Sequence, residues 1–359
     1  MGAETVAEIR ERLGLPVQGI QFERFTPTER IIIDAAYLAE FGLLPDYDFR
    51  TKLGPSVLHE ATEEESASAA EKVAKALVKR TGQTPDIMIV SASHLPPFDP
   101  DNPDKQQRAN QVRESLIANV TELGLEKPLA PANLQNTHTV STACSGFVVA
   151  LDWLRQKDPK GQSVLIVVDE TGYRRTLPPP EEDSSKSRLI LSDRAIAMQF
   201  TYGEDLMVEA STVQHEKDTE GLLRMRTPNY HEDDTYLTVR RPPYADQFEM
   251  VGPELKRYFG RINKANIAEL LGPEVDIELA TFVLHHQASI RMVDGLGTFG
   301  IGNARHYGRG ILKYGNTSSA SIPFDLQDGL AEGKIQAGDI GLLVGYGAGL
   351  TWTAALVRL

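Results

Sequence analysis

Residues 139–170 read TVSTACSGFVVALDWLRQKDPKGQSVLIVVDE, and residues 314–347 read YGNTSSASIPFDLQDGLAEGKIQAGDIGLLVGYG. The two stretches share one order. A cluster of small polar residues opens an apolar segment at helical spacing, a glycine-bearing turn follows, and a short β-type apolar run ends the unit. A unit that occurs once in each part of the chain points to an α/β protein of two similar halves. The join falls near residues 205–225, and the halves are drawn as 1–210 and 211–359.

The flanking sequence adds elements of the same kind. Residues 62–80 (TEEESASAAEKVAKALVKR) carry acid in the first turn, base in the last and Ala, Val and Leu at helical spacing, which predicts a helix. The run DIMIVSAS (86–93) then reads as a buried strand. Residues 4–13 and 29–43 (ERIIIDAAYLAEFGL) are further helix candidates. Residues 95–106 (LPPFDPDNPDKQ) and 177–187 (LPPPEEDSSKS) read as surface loops because of their prolines and polar residues. The tail GLLVGYGAGLTWTAALVRL (341–359) reads strand, glycine-rich turn, strand.

Composition narrows the class. The chain has 359 residues, 41% hydrophobic and 24% charged, with a net charge of −13. That acidity argues against a general nucleic-acid binder. No apolar run reaches the ~18–20 residues of a membrane span, and the charged start has no apolar core of a secretory signal. Cys144 is the single cysteine, so no intramolecular disulfide forms, and a cytoplasmic location is the expectation.

Four places could carry chemistry. Cys144 in TACSGF lies where a helix begins, and free N–H groups and the helix dipole there favour a thiolate. The same residue also fits a buried, inert thiol. His285 and His286 end the apolar run TFVL, where ligands collect in open α/β sheets; successive strand residues face opposite ways, so only one of the two would face a site, and a core or surface histidine is the competing reading. Asn316 in YGNTSSAS is cap material before a helix or a functional amide. Gly345, Gly347 and Gly349 with Ala348 form either a tight hairpin or a turn that aims backbone N–H groups at an oxyanion. A zinc site lacks ligands, since one thiol and no suitably spaced histidines are present. The literal G-x-G-x-x-G of Gly295–Gly300 follows SIRMVD, which reads as a helix, so it fails the strand-first rule of a dinucleotide site.

Together TACSGF, HHQAS, YGNTSSASIP and GYGAGLTWTAALVR, in that order, resemble the β-ketoacyl-acyl-carrier-protein synthase III family of the thiolase superfamily. The likeness runs from about residue 86 to 359 and is faint before, where FRTKLG (49–54) echoes a family turn. It implies a thiolase-like five-layered α-β-α-β-α fold. It implies Cys144, His286 and Asn316 as catalytic residues, with the backbone N–H groups of Cys144 and Ala348 as an oxyanion hole. Ser289 and Arg291 match family positions that meet the substrate or its carrier. The activity implied is loading of an acyl group from coenzyme A or acyl carrier protein onto Cys144, then decarboxylative condensation with a malonyl-type thioester. No metal or redox cofactor is implied, and a homodimer is. The alternative is a relative that passes the acyl group to a hydroxyl or amine; a subunit without catalysis and a nicotinamide oxidoreductase fit less well.

The sequence also departs from the family. Ser289 replaces an asparagine, and LSDRAIA (191–197) puts Arg194 and Ile196 where glycines stand. The segment before Cys144 is long, and the family's tryptophan is missing from the entry segment. These departures point to a specialised member with an unusual acyl substrate. Between Lys256 and Lys313 eight basic residues face five acidic ones, which predicts a basic patch for an acidic carrier or coenzyme A phosphates.

Overall fold

The structure is a computed structural model and describes residues 19–43, 54–92, 137–140, 143–172, 174, 177, 187–215, 223–225, 248–250, 264–296, 303–347 and 351–359. The helix expected over 4–13, the loop 95–106, most of 177–187 and Ala348 lie outside the described residues.

Strands are numbered in chain order. The first sheet holds β1 (Gln21–Phe25), β4 (Ile87–Ala92), β5 (Thr137–Val140), β6 (Ser163–Glu170) and β7 (Arg194–Thr201), in the order β1-β7-β6-β4-β5. The second holds β8 (Met207–His215), β11 (Phe282–His285), β12 (His306–Tyr307), β13 (Ile340–Gly347) and β14 (Thr351–Arg358), in the order β8-β14-β13-β11-β12. The pairings match strand for strand. β6 runs parallel to β4 and antiparallel to β7, as β13 runs parallel to β11 and antiparallel to β14. β5 and β12 add parallel edges, and β1 and β8 add antiparallel ones. Two short ribbons complete the described strands: β2 (Glu29–Ile32) with β3 (Val57–Glu60), and β9 (Leu223–Met225) with β10 (Phe248–Met250).

Helices are numbered the same way: α1 (Ala35–Glu40), α2 (Glu63–Thr81), α3 (Gly146–Lys157), α4 (Lys264–Leu271), α5 (Ile290–Leu296), α6 (Ile311–Tyr314) and α7 (Ser321–Ala331). Phe147 and Leu151 of α3 and Ile322 and Phe324 of α7 sit in one apolar core with Ile166 and Ile196 of the first sheet and Leu284 and Leu343 of the second. The pair α3 and α7 is therefore the middle layer. On the far face of the first sheet, Ala70, Val73 and Leu77 of α2 cover Met88, Val90 and Leu165. On the far face of the second, Ile267 and Leu271 of α4 cover Val283, Leu342 and Val344. The result is the five-layered α-β-α-β-α arrangement of the thiolase-like fold. The change of sheet falls between Thr201 and Met207, so a boundary at residue 210 cuts through β8.

Local chemistry explains most elements. α2 opens with a capping box, in which Thr62 accepts from Glu65 N–H while Glu65 accepts from Thr62 N–H, and it closes on Gly82 at φ 66°. The helix expected over 29–43 is corrected. Residues 29–32 form strand β2, and only 35–40 are helical. Consecutive β-branched Ile31, Ile32 and Ile33 favour the extended chain, and Asp34 then caps α1 by accepting from Tyr37 N–H at 2.9 Å.

Candidate active site

Cys144 lies in a 3-10 turn, Ala143–Ser145, that runs straight into α3. Asn316 and Ser318 lie at and in the equivalent turn, Ser318–Ala320, that runs into α7. His286 follows the last residue of β11, with its N–H on Val344 O at 2.9 Å. The fold thus brings the nucleophile candidate, the imidazole and the amide to the ends of three central elements.

They converge on one residue. Ser318 Oγ donates to Cys144 Sγ at 3.3 Å. Ser318 N–H donates to Asn316 Oδ1 at 3.0 Å. The Ser318 carbonyl accepts from His286 Nδ1 at 3.1 Å and from Ser321 Oγ at 2.6 Å. A carbonyl only accepts, so Nδ1 carries the imidazole proton and Nε2 keeps its lone pair. Asn316 uses Oδ1 on Ser318, which leaves its NH2 as the group able to donate to a ligand.

The electrostatics differ from the sequence expectation. A helix start was expected to lower the Cys144 thiol, but burial pushes it up to about 12, with the Glu170 carboxylate adding to the rise. Burial lowers His286 to about 3 and lowers His285 as well, so at neutral pH both imidazoles are uncharged. At rest the thiol and the neutral imidazole are joined through Ser318, rather than as a thiolate–imidazolium pair.

Long-range contacts hold the frame. Asn316 N–H donates to Ile190 O at 2.7 Å, and Ser192 N–H donates to Asn316 O at 2.9 Å. Gly315, at φ 77°, precedes this bridge; a Cβ there would come within 2.6 Å of Leu58 and 3.0 Å of Ile190 O, so only glycine fits. Arg174 is fully buried and donates to the carbonyls of Arg188 and Leu191, to Tyr37 OH at 3.1 Å and to Glu60 at 3.3 Å. Ser319 donates to Glu170 Oε1 and sits 3.4 Å from Ser91 Oγ. Gln287 donates to Asp325 and accepts from Ile311 N–H at 2.8 Å, which ties the chain after His286 to α6 and α7.

The remaining expected residues are more dispersed. Ser289 caps α5, accepting from Met292 N–H at 3.3 Å, and Arg291 is exposed on that helix. The basic patch is corrected in part. Arg309 pairs with Asp294 at 2.7 Å, Lys313 with Asp328 and Glu332 at 2.9 and 2.8 Å, and Arg305 with Asp339. Asp328, Glu332 and Asp339 lie outside the 256–313 window and offset charge that the window alone leaves in excess. Arg194, in the place of a family glycine, is buried with Nε and Nη1 unpartnered among the described residues, and burial lowers it to about 10. Sequence reasoning missed Ser318, Arg174 and Glu170. Glu170 ends a buried apolar strand, which is a readable signal for a buried acid, whereas Ser318 carries none.

The described residues contain no cluster of His, Cys, Asp or Glu able to hold a metal, and no helix long and apolar enough to cross a membrane. Two similar halves place the cysteine turn, His286 and Asn316 around Ser318, and these residues make up the candidate site. Residues 274–359 match the family model for the C-terminal part of 3-oxoacyl-[acyl-carrier-protein] synthase III. A β-ketoacyl-acyl-carrier-protein synthase III of Aquifex aeolicus is 30% identical over 224 residues, which span 61% of this chain and 65% of the relative. One from Clostridium perfringens is 26% identical over 356 residues, covering 95% and 98%. The crystal structure of the 3-oxoacyl synthase III from Aquifex aeolicus superposes with a TM-score of 0.71 at 25% identity, over 95% of this chain and 100% of that one. The chain is thus similar to β-ketoacyl-acyl-carrier-protein synthase III enzymes, at 25–30% identity.

Proposed function

We propose that the protein is an acyl-thioester condensing enzyme. Cys144 Sγ attacks the carbonyl of an acyl-coenzyme A or acyl-carrier thioester, its proton passes to the leaving thiol, and the acyl group stays on sulfur. A malonyl-type thioester then binds. Loss of CO₂ leaves an enolate, whose oxygen needs donors in a dry site. Asn316 supplies its NH2, and His286 supplies N–H from Nε2 once that atom has taken up a proton from solvent, which the Cys144 thiolate receives when the product leaves. The enolate carbon attacks the acyl-cysteine, the C–S bond breaks, and a β-ketoacyl thioester leaves. The Cys144 and Ala348 backbone N–H groups act as the oxyanion hole in this reading, Ser289 and Arg291 meet the pantetheine or its carrier, and the working unit is a homodimer. The chemistry asks for no metal or redox cofactor.

The observation that carries this reading is the shared bonding of Cys144, His286 and Asn316 to Ser318. Incubating the protein with a panel of acyl-coenzyme A and acyl-carrier thioesters and measuring intact mass tests it. A gain of one acyl group that Cys144→Ala abolishes is expected. CO₂ release on adding malonyl carrier protein is then expected as well. Acylation without CO₂ release, with the acyl group appearing on a hydroxyl or amine, would replace condensation by simple transfer. No adduct with any donor sinks the enzyme reading.

A further inference from the structure

Ser318 has an unusual backbone. Its φ is 52°, and among the described non-glycine residues only Asp158 shares a positive value. Holding a residue with a Cβ there costs on the order of 1–2 kcal/mol. Glycine or asparagine would relieve the strain, yet serine stands in the turn. The strain sits at the residue whose N–H, C=O and hydroxyl touch Asn316, His286 and Cys144 respectively. This left-handed residue follows Thr317 at φ −99°, ψ 25°, and its three groups serve three partners.

The hydroxyl has a distinct task. Ser318 Oγ is the described side-chain donor on Cys144 Sγ. Sulfur accepts weakly as a thiol and strongly as a thiolate, so the bond grows as charge develops. It opposes the two influences that disfavour the anion, desolvation and Glu170.

We propose that Ser318 is a fourth catalytic residue, whose hydroxyl stabilises the Cys144 thiolate while its backbone sets the His286 tautomer and the Asn316 amide orientation. This rests on Cys144 being the nucleophile. The charged group acting on Cys144 is Glu170 from β6, while His286 after β11 is linked to the thiol through Ser318, with His285 acting on His286. α3 brings its first ionisable group at Asp152, which is turned to Ser211 on β8, and β14 brings Arg358, paired with Glu209. On β13, Tyr346 lies in the core cluster of the opposite face of the sheet.

The test is the pH profile of Cys144 alkylation by iodoacetamide, read by mass on the intact full-length protein, in wild type and Ser318→Ala, Ser318→Gly and Ser318→Thr. Removing a hydrogen bond to a charged group slows alkylation about 10-fold below the midpoint. The expected result is that Ala and Gly both move the midpoint to higher pH and Thr stays near wild type. Stability runs the other way, because Gly relieves the positive φ and β-branched Thr aggravates it. Opposite orders in melting and in reactivity separate the hydroxyl's chemistry from a structural role. If Gly keeps the wild-type profile, or reactivity simply follows melting temperature, the proposal is overturned. Alkylation needs no acyl donor, so a chain that accepts no thioester would sink the functional reading while leaving this result readable.

Discussion

Ala143–Ser145 and Ser318–Ala320 occupy the same place in the two halves. Each is a 3-10 turn that opens a middle-layer helix, and each helix leads to the central strand of its sheet. Laid on each other, Cys144 corresponds to Ser319, Gly146 to Ser321 and Ala150 to Asp325. The backbone plan is shared, and the side chains have parted. The first turn presents a thiol. The second buries the matching hydroxyl on Glu170 and offers Ser318 and Asn316 instead. The two helix starts are equivalent in the fold, and the proposed reaction assigns the covalent step to one and the polar groups around it to the other.

The largest effects come from breaking that division. Cys144→Ala removes acyl loading outright. Asn316→Ala is expected to leave loading measurable and to cut condensation by about 100- to 1,000-fold, the cost of one donor to a developing oxyanion. Intact mass reads the first step and CO₂ release the second. Equal loss of both steps would mean that the second turn also serves loading, and the division would fail.

The next effect concerns the helix starts themselves. Gly146 has no side chain because Ser91 of β4 lies against it; a Cβ there would meet Ser91 Oγ at 2.1 Å. Its counterpart Ser321 has room for a side chain and uses it on the Ser318 carbonyl. Gly146→Ala is expected to cost about 1–3 kcal/mol, because Ser91 must rotate away from Ser319 or the helix must shift. Adding Ser91→Ala should recover much of the melting temperature, since the remaining contact, Ser91 Cβ at 3.3 Å, asks only for a shift of a few tenths of an ångström. A double variant no more stable than the single one would place the constraint in the backbone instead.

The same contrast explains what the sequence discloses. The two units in 139–170 and 314–347 are legible because helix and strand periodicities survive divergence, whereas Cys144, His286 and Asn316 are singled out by the resemblance of their motifs, each standing where an element begins or ends. Ser318 is hidden: in a run of Thr, Ser and Ser, nothing marks the one residue whose backbone turns left-handed. Arg174 is hidden because its partners Glu60, Tyr37 and the 188–191 carbonyls come from distant segments. The charge balance of 256–313 misleads for a related reason, since helix α7 and the turn before β13 bring in acids from elsewhere. The strand Glu29–Ile32 was readable in its isoleucines but was absorbed into the helical pattern that follows.

The smallest effect is a slope. Asp325 is buried on α7 where the first half carries Ala150, and burial raises it to about 8. In the native state it therefore holds its proton over a range where the unfolded chain, titrating near 4, has lost it. Stability from this group is complete below about pH 4 and declines as pH rises toward 8. His285 and His286 work in the opposite sense, because their native values are lowered: the unfolded chain binds the extra proton, and stability rises with pH up to about 6.5. Asp193, raised to about 6, has finished by then. Between pH 6.5 and 8 Asp325 is left as the main buried contributor, worth at most about 2 kcal/mol over that span at ~1.4 kcal/mol per unit. Wild type should lose melting temperature across this window, and Asp325→Asn, which keeps the contact to Gln287, should be flatter. Parallel curves would show that Asp325 is ionised in the folded protein, with Gln287 and the Gly310 N–H holding the carboxylate in place of a proton.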